Sequence, residues 1–269
     1  MRLVLSGGGT GGHVYPALSV AEAVREQLPA GEALDLLYVG TLAGNESQIV
    51  ERTAIPFRDV SAAPIRGRTP WQMAANAAKI AAGVRQARTI LSDFAPQVVF
   101  STGGYASFPV ALAARGRKIP LAVYLPDLTP GWAVRAIARL AQRVAATAIE
   151  SLRRLPSDKT IVTGYPVRSE FYQADRSGGR ERLGLSPEEK VLFIGGGSTG
   201  AQRINRAIAA EISGLLELCE VVHVSGPGDE PWLREIKNGL PTGLRNRYHL
   251  YGYMHDEMPW AMAAADLAL

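Results

Sequence analysis

Short apolar runs alternate along the chain with longer stretches in which apolar positions recur at helical spacing. The runs at 2–6, 35–40, 97–101, 120–124, 143–148, 160–163, 191–195, 220–224 and 248–253 predict strands. An apolar run without polar alternation suits a strand buried on both faces, and such strands separated by helices make a parallel sheet with helical cover. Between the first two runs, Ala17, Val20, Ala21, Val24 and Leu28 mark one face of an amphipathic helix. Pro16 is expected in its first turn, where a missing N–H is tolerated.

From Arg168 to Glu189 this rhythm breaks: the stretch is polar, carries Ser177-Gly178-Gly179 and shows no strand pattern. A boundary is expected there, with one domain over 1–168, a linker over 169–188 and a second domain over 189–269. Beyond it the opening pattern returns. The first strand runs into Gly7-Gly8-Gly9-Thr10-Gly11-Gly12 and then a helix, and Val191-Leu192-Phe193-Ile194 runs into Gly195-Gly196-Gly197-Ser198-Thr199-Gly200 and then a helix through Ile208. The duplication predicts an α/β protein of two doubly wound Rossmann-like domains facing each other across a cleft. The second copy holds three strand candidates, and Asp266-Leu267-Ala268-Leu269 reads as a fourth strand beginning. The second domain is therefore expected to be incomplete in this chain.

Both loops satisfy Gly-x-Gly-x-x-Gly. Glycine lets the backbone approach a ligand closely, and the helix that follows offers unpaired N–H groups and a positive dipole end, so a phosphate is the natural guest. The alternative is a tight strand-to-helix turn without a ligand. A dinucleotide would need an acid at the end of the second strand, where the chain reads Leu37-Tyr38-Val39-Gly40-Thr41, and neither loop ends in the lysine of an ATPase or kinase. A nucleotide sugar with its diphosphate fits better. His13 directly follows the first loop. An imidazole there is suited to take a proton from an attacking hydroxyl, or else caps the loop. His223, His249 and His255 lack metal-ligand spacing, so no metal site is expected.

Composition adds exclusions. The 269 residues are 47% hydrophobic and 20% charged, which is ordinary globular usage with enough chain for two cores. The 29 Lys and Arg against 25 Asp and Glu leave +4 without a basic block, so nucleic acid is not an expected partner. One stretch is locally one-sided: residues 66–88 hold Arg66, Arg68, Lys79, Arg85 and Arg88 with Trp71, Met73 and Ile80 and no acid. It reads as a basic helix able to lie against an anionic bilayer, or as a packed helix with a solvated basic face. The single cysteine, Cys219, allows no intramolecular disulfide and reads as a buried small side chain in a reducing compartment. No window reaches the ~18 to 20 apolar residues of a spanning helix, and the start reads as a buried strand, neither signal nor anchor.

The run Gly7 to Ala17, Gly-Gly-Gly-Thr-Gly-Gly-His-Val-Tyr-Pro-Ala, resembles the opening motif of the MurG family of N-acetylglucosaminyltransferases. The resemblance recurs at Ile65-Arg66-Gly67-Arg68, Thr102-Gly103-Gly104-Tyr105-Ala106-Ser107, Gly164-Tyr165-Pro166-Val167-Arg168, Gly197-Ser198-Thr199-Gly200-Ala201 and Asp256-Glu257-Met258, covering essentially the whole chain. It implies a GT-B type, metal-independent, inverting transferase without a cofactor. Such an enzyme moves N-acetylglucosamine from UDP-N-acetylglucosamine to undecaprenyl-linked lipid I, giving lipid II, as a peripheral protein on the cytoplasmic face of the bacterial inner membrane.

By the same resemblance the first domain faces the acceptor and membrane and the second carries the donor. Thr10, Gly11 and Gly12 would line the diphosphate or sugar, Arg168 and Ser198 would contact the donor, Met254 or His255 would meet the uracil by backbone, and His13 would aid the attacking hydroxyl. Two departures stand out. Where the family reads His-Glu-Gln-Asn, this chain has Tyr124-Leu125-Pro126-Asp127, so Asp127 replaces an amide near a sugar hydroxyl; a carboxylate accepts that hydrogen bond but cannot donate one. The family's ribose- and sugar-holding segment is not in this sequence, so the 269 residues alone are expected to be inactive. The rival expectations are a transferase of the same fold with another lipid acceptor and a non-catalytic nucleotide-sugar-binding protein.

Overall fold

The computed structural model describes residues 1–8, 11–42, 46–64, 69–197 and 199–269. The chain forms two compact units, Met1–Arg168 and Ser169–Leu269.

In the first unit, strands β1 (Arg2–Gly7), β2 (Asp35–Gly40), β3 (Phe57–Asp59), β4 (Val98–Gly103), β5 (Leu121–Leu125), β6 (Arg143–Ala146) and β7 (Thr160–Val162) form one sheet in the order β3-β2-β1-β4-β5-β6-β7. Every neighbouring pair is parallel. The crossovers carry helices α1 (Gly11–Gln27), α2 (Glu46–Val50), α3 (Pro70–Phe94), α4 (Ser107–Gly116) and α5 (Trp132–Leu140), and a 3-10 turn over Ile149–Arg154 precedes β7. Alternation along the strands sends side chains to opposite faces. Val4, Val39, Val99 and Val123 pack on one side with Leu91 of α3 and Ile137 of α5, while Leu3, Leu5 and Tyr38 pack on the other with Val14, Ala17 and Ala21 of α1. The strand order reverses between β1 and β4, so the loops that leave these two strands lie side by side at the carboxyl edge of the sheet, where ligands of doubly wound folds bind.

Two expectations differ from what is seen. The strand Phe57–Asp59 carries no apolar run: it is a three-residue edge strand with exposed Arg58 and Asp59, and edge strands tolerate polar side chains. Helix α1 begins at Gly11, so Pro16 lies inside it and has no N–H to offer the Gly12 carbonyl.

Helix α3 starts with a capping box: Thr69 Oγ1 accepts from the Gln72 N–H and Gln72 Oε1 accepts from the Thr69 N–H, each at 3.3 Å, with Pro70 at the first helical position. Its first two turns pack little. Trp71 is 85% exposed, and Met73, Ala74, Ala75, Ala77, Ala78 and Lys79 are also exposed.

In the second unit, β8 (Val191–Gly195), β9 (Glu220–Val224), β10 (Tyr248–Tyr251) and β11 (Leu267–Ala268) form a parallel sheet in the order β10-β9-β8-β11. Around it lie α6 (Glu170–Gln173), α7 (Arg176–Leu183), α8 (Gln202–Leu218), α9 (Glu230–Gly239), α10 (Thr242–Arg245) and α11 (Met258–Ala264). Ser177-Gly178-Gly179 lies within α7, whose N-cap Asp175 accepts from the Gly178 N–H at 2.8 Å. Buried Arg180 of α7 donates to the carbonyls of Ser186 and Pro187 and to Asp266, which in turn accepts from the Val191 N–H, so one guanidinium ties α7 to the start of the sheet. Cys219 is half-buried, with its thiol 3.4 Å from the Leu215 carbonyl. No described helix is long and apolar enough to cross a membrane.

Candidate active site

In the first unit the loop after β1 and the loop after β4 touch through backbone. A Cβ on Gly104 would stand 2.3 Å from the Gly8 carbonyl oxygen, and Gly104 has φ +82°, so both space and backbone conformation require glycine there. Ser107 closes the turn by donating its hydroxyl to the Gly103 carbonyl at 2.6 Å. On the other side of the first loop, buried Tyr38 donates to the Gly7 carbonyl at 2.7 Å. Burial, with the charge of Glu46 adding to it, pushes this phenol up, so it stays a protonated donor. Glu46 itself is buried and accepts from the Thr41 N–H and hydroxyl.

This frame holds His13. Its Nδ1 is 2.7 Å from the Thr102 carbonyl oxygen, and the Thr102 hydroxyl donates to the His13 carbonyl at 2.6 Å. A carbonyl only accepts, so the geometry assigns the ring proton to Nδ1 and leaves the Nε2 lone pair as the acceptor. His13 is half-buried, and Gly103 lies beside the ring: a Cβ there would be 3.7 Å from His13 Cε1. Two residues on, the Arg168 guanidinium stands over the Tyr15 ring at 4.7 Å, a cation–π contact.

The segment Gly164 to Arg168 connects this corner to a second polar group. The Tyr124 hydroxyl lies 2.6 Å from Thr147 Oγ1 and 3.3 Å from the Gly164 carbonyl, with the Tyr165 ring edge-on at 6.3 Å. Partial burial raises both phenols, and the charge of exposed Asp127 adds to it.

In the second unit the loops after β8, β9 and β10 gather at one edge of the sheet. Gly200 (φ +80°) crosses the loop after β9 so closely that a Cβ would stand 2.1 Å from the Ser225 carbonyl oxygen. Helix α8 begins just beyond, its N-terminus directed at the glycine loop. After β10, Met254 is buried among Phe193, Val222 and Val224. The His255 N–H is 3.3 Å from Glu257 Oε2, its carbonyl accepts from Met258, and its ring lies 4.4 Å from that of Tyr253.

Residues 3–146 match the Glycosyltransferase family 28 N-terminal domain. The UDP-N-acetylglucosamine--N-acetylmuramyl-(pentapeptide) pyrophosphoryl-undecaprenol N-acetylglucosamine transferase of Roseiflexus sp. (strain RS-1) is 40% identical in an alignment covering 100% of this chain and 73% of that protein. The transferase of the same name from Desulforudis audaxviator (strain MP104C) is 39% identical, covering 100% of this chain and 72% of its own. The chain belongs to this transferase family. Among solved structures, MurG of Acinetobacter baumannii is 22% identical with a TM-score of 0.66 over 99% of this chain and 72% of its own. A UDP-GlcNAc 2-epimerase from Neisseria meningitidis bound to UDP-GlcNAc, 17% identical, has a TM-score of 0.65. These two likenesses carry the fold, which is that of GT-B glycosyltransferases.

Within this family fold the site residues read from the sequence divide into groups. Gly11, Gly12 and His13 open α1, with His13 bonded to Thr102 and, two residues further along the helix, Tyr15 beneath the Arg168 guanidinium. Asp127 belongs to the Tyr124 and Tyr165 group. Met254 and His255 follow β10 in the second unit. Thr10 and Ser198 lie outside the described residues, as do Arg66 and Arg68 of the basic stretch. Sequence reasoning assigned no role to Thr102, Glu46, Asn205 or His223. The Gly103-Gly104 pair after an apolar run was the available signal for Thr102; the others show themselves only through burial and partners.

Proposed function

We propose that this chain transfers N-acetylglucosamine, with inversion, from UDP-N-acetylglucosamine to undecaprenyl-pyrophosphoryl-N-acetylmuramyl-pentapeptide, turning lipid I into lipid II in peptidoglycan synthesis. The observation that carries this reading is its relationship, across 100% of its length and at 40% identity, to a transferase of that name.

His13 is assigned the general base. An Nδ1–H held by a backbone carbonyl supports that role, because in the neutral imidazole it makes Nε2 the proton acceptor. The acceptor hydroxyl oxygen forms its bond to the anomeric carbon as its proton passes to Nε2, and the bond from that carbon to the diphosphate oxygen breaks to release UDP. Charge developing on the diphosphate is met by glycine-loop N–H groups, the α8 N-terminus, Arg168 and Ser198. Thr10, Gly11 and Gly12 are assigned to the diphosphate or the sugar, and Asp127 to a sugar hydroxyl from which it would accept. The backbone of Met254 or His255, after β10, is assigned to the uracil.

The acceptor side is assigned to the cytoplasmic surface of the membrane. Support comes from the start of α3, where exposed Trp71 and Met73 stand with Lys79, Arg85 and Arg88 on the same helix. Its exposed alanines offer shallow apolar contact, so attraction to anionic lipid would dominate.

The chain spans 73% of the Roseiflexus relative. Transfer is therefore assayed on a chimera that adds the segments of that relative lying outside the match, with the 269-residue chain alongside. Offered lipid I and a second undecaprenyl-linked sugar together, the chimera is expected to glycosylate lipid I. Transfer to the second acceptor alone would overturn the assignment.

A further inference from the structure

The glycine crossing of the second unit is backed by a chain of buried polar groups that the transfer reaction never touches. His223 of β9 and Asn205 of α8 are both fully buried. The Asn205 amide nitrogen donates to the Ser225 carbonyl and to Asp229 Oδ2, each at 2.7 Å. Both partners are acceptors here, so the two amide hydrogens are spent and Asn205 Oδ1 is left to accept. That oxygen lies 3.0 Å from His223 Nε2, which must carry the ring proton, and His223 Nδ1, 2.9 Å away from the Tyr248 hydroxyl, accepts in turn. Every proton in the chain is thereby assigned. Burial lowers His223 to about pKa 4, which keeps it in this neutral form.

The direction of the Asn205 amide matters because of what it holds. The Ser225 carbonyl is the atom against which Gly200 packs, and a reversed amide would point its oxygen at both that carbonyl and the Asp229 carboxylate. We propose that His223 is a positioning residue for the donor loop: its Nε2–H anchors Asn205 Oδ1 and so holds in place the amide whose nitrogen bonds the Ser225 carbonyl beneath the crossing of Gly200. This rests on the reading of that loop as the seat of the donor diphosphate.

The test is amide hydrogen exchange of the 269-residue chain, resolved by peptide, with and without UDP. His223→Leu leaves Asn205 Oδ1 and the Tyr248 hydroxyl without partners, and exchange in 195–200 and 225–226 is expected to rise roughly 10-fold or more. Strands of the first unit should stay at the parent value. His223→Gln, whose amide can repeat both hydrogen bonds, should restore protection to within a few-fold. Unchanged exchange in His223→Leu, a uniform rise across the second unit, or no rescue by Gln would each overturn the proposal. Should the Leu variant fail to fold, Tyr248→Phe removes only the hydroxyl at Nδ1; a local rise in the same peptides supports the proposal and none overturns it. Protection of these peptides by UDP in the parent tests the donor-seat reading separately, since loosening by His223→Leu without any UDP protection would sink that reading and leave the positioning role standing.

Discussion

His13 and Thr102 hold each other by two reciprocal hydrogen bonds, side chain to backbone in each direction, at 2.7 Å and 2.6 Å. The pair joins the start of α1 to the end of β4 and sets the imidazole tautomer in one step. Thr102→Val keeps the shape and the Thr102 carbonyl but takes the hydroxyl donor from the partly buried His13 carbonyl. Urea unfolding should show a loss of roughly 1–3 kcal/mol, and transfer by the chimera should slow while UDP-N-acetylglucosamine binding holds. Thr102→Ser should behave like the parent.

Gly104→Ala combines a positive φ with a Cβ that would stand 2.3 Å from the Gly8 carbonyl oxygen. The two loops must part, and a destabilisation of at least about 1–3 kcal/mol is expected in denaturant unfolding. A variant as stable as the parent would show that the loops are not in backbone contact.

Stability of the second unit should depend on pH through His223. Its folded value of about 4 lies below the ordinary 6.5, so between these values the unfolded chain binds a proton that the folded chain refuses. Stability is complete above pH 6.5, falls as the pH drops toward 4, and levels off below. The full loss from this group is about 3 kcal/mol. Urea midpoints followed by tryptophan fluorescence at several pH values, in the parent and in His223→Gln, check this; the difference between the two proteins should grow or shrink only inside that window.

Much of this fold was legible because a strand buried on both faces must be apolar throughout: nine apolar runs correspond to nine of the strands, and the polar edge strand Phe57–Asp59 had no such constraint to betray it. The Gly-x-Gly-x-x-Gly spacing located both loops, since only backbone freedom and close approach demand glycine at those intervals. Partners were illegible. Thr102 is 89 residues from His13 and Asn205 is 18 from His223, so nothing local marks either contact; the strand order, which reverses between β1 and β4, brings the first pair together. Pro16 misled because proline usually marks a helix start, and here α1 runs five residues ahead of it.

Vesicle sedimentation tests the membrane assignment of α3. Binding should need anionic lipid and weaken with salt, because charges at a surface are screened beyond ~8 Å at 0.15 M. Replacing Lys79, Arg85 and Arg88 by Gln should reduce it, and Trp71→Ala should reduce it less. Equal binding to neutral and anionic vesicles, or none to either, would remove this segment from the membrane face.

The most direct measurement compares lipid II formation from UDP-N-acetylglucosamine and lipid I by the chimera and by its His13→Ala variant, with donor affinity determined for both. The parent should form lipid II, and the variant should turn over roughly 10²- to 10⁴-fold more slowly with donor affinity within a few-fold. No lipid II from the parent, or a His13→Ala rate close to that of the parent, would contradict the transferase mechanism built on His13 and Thr102.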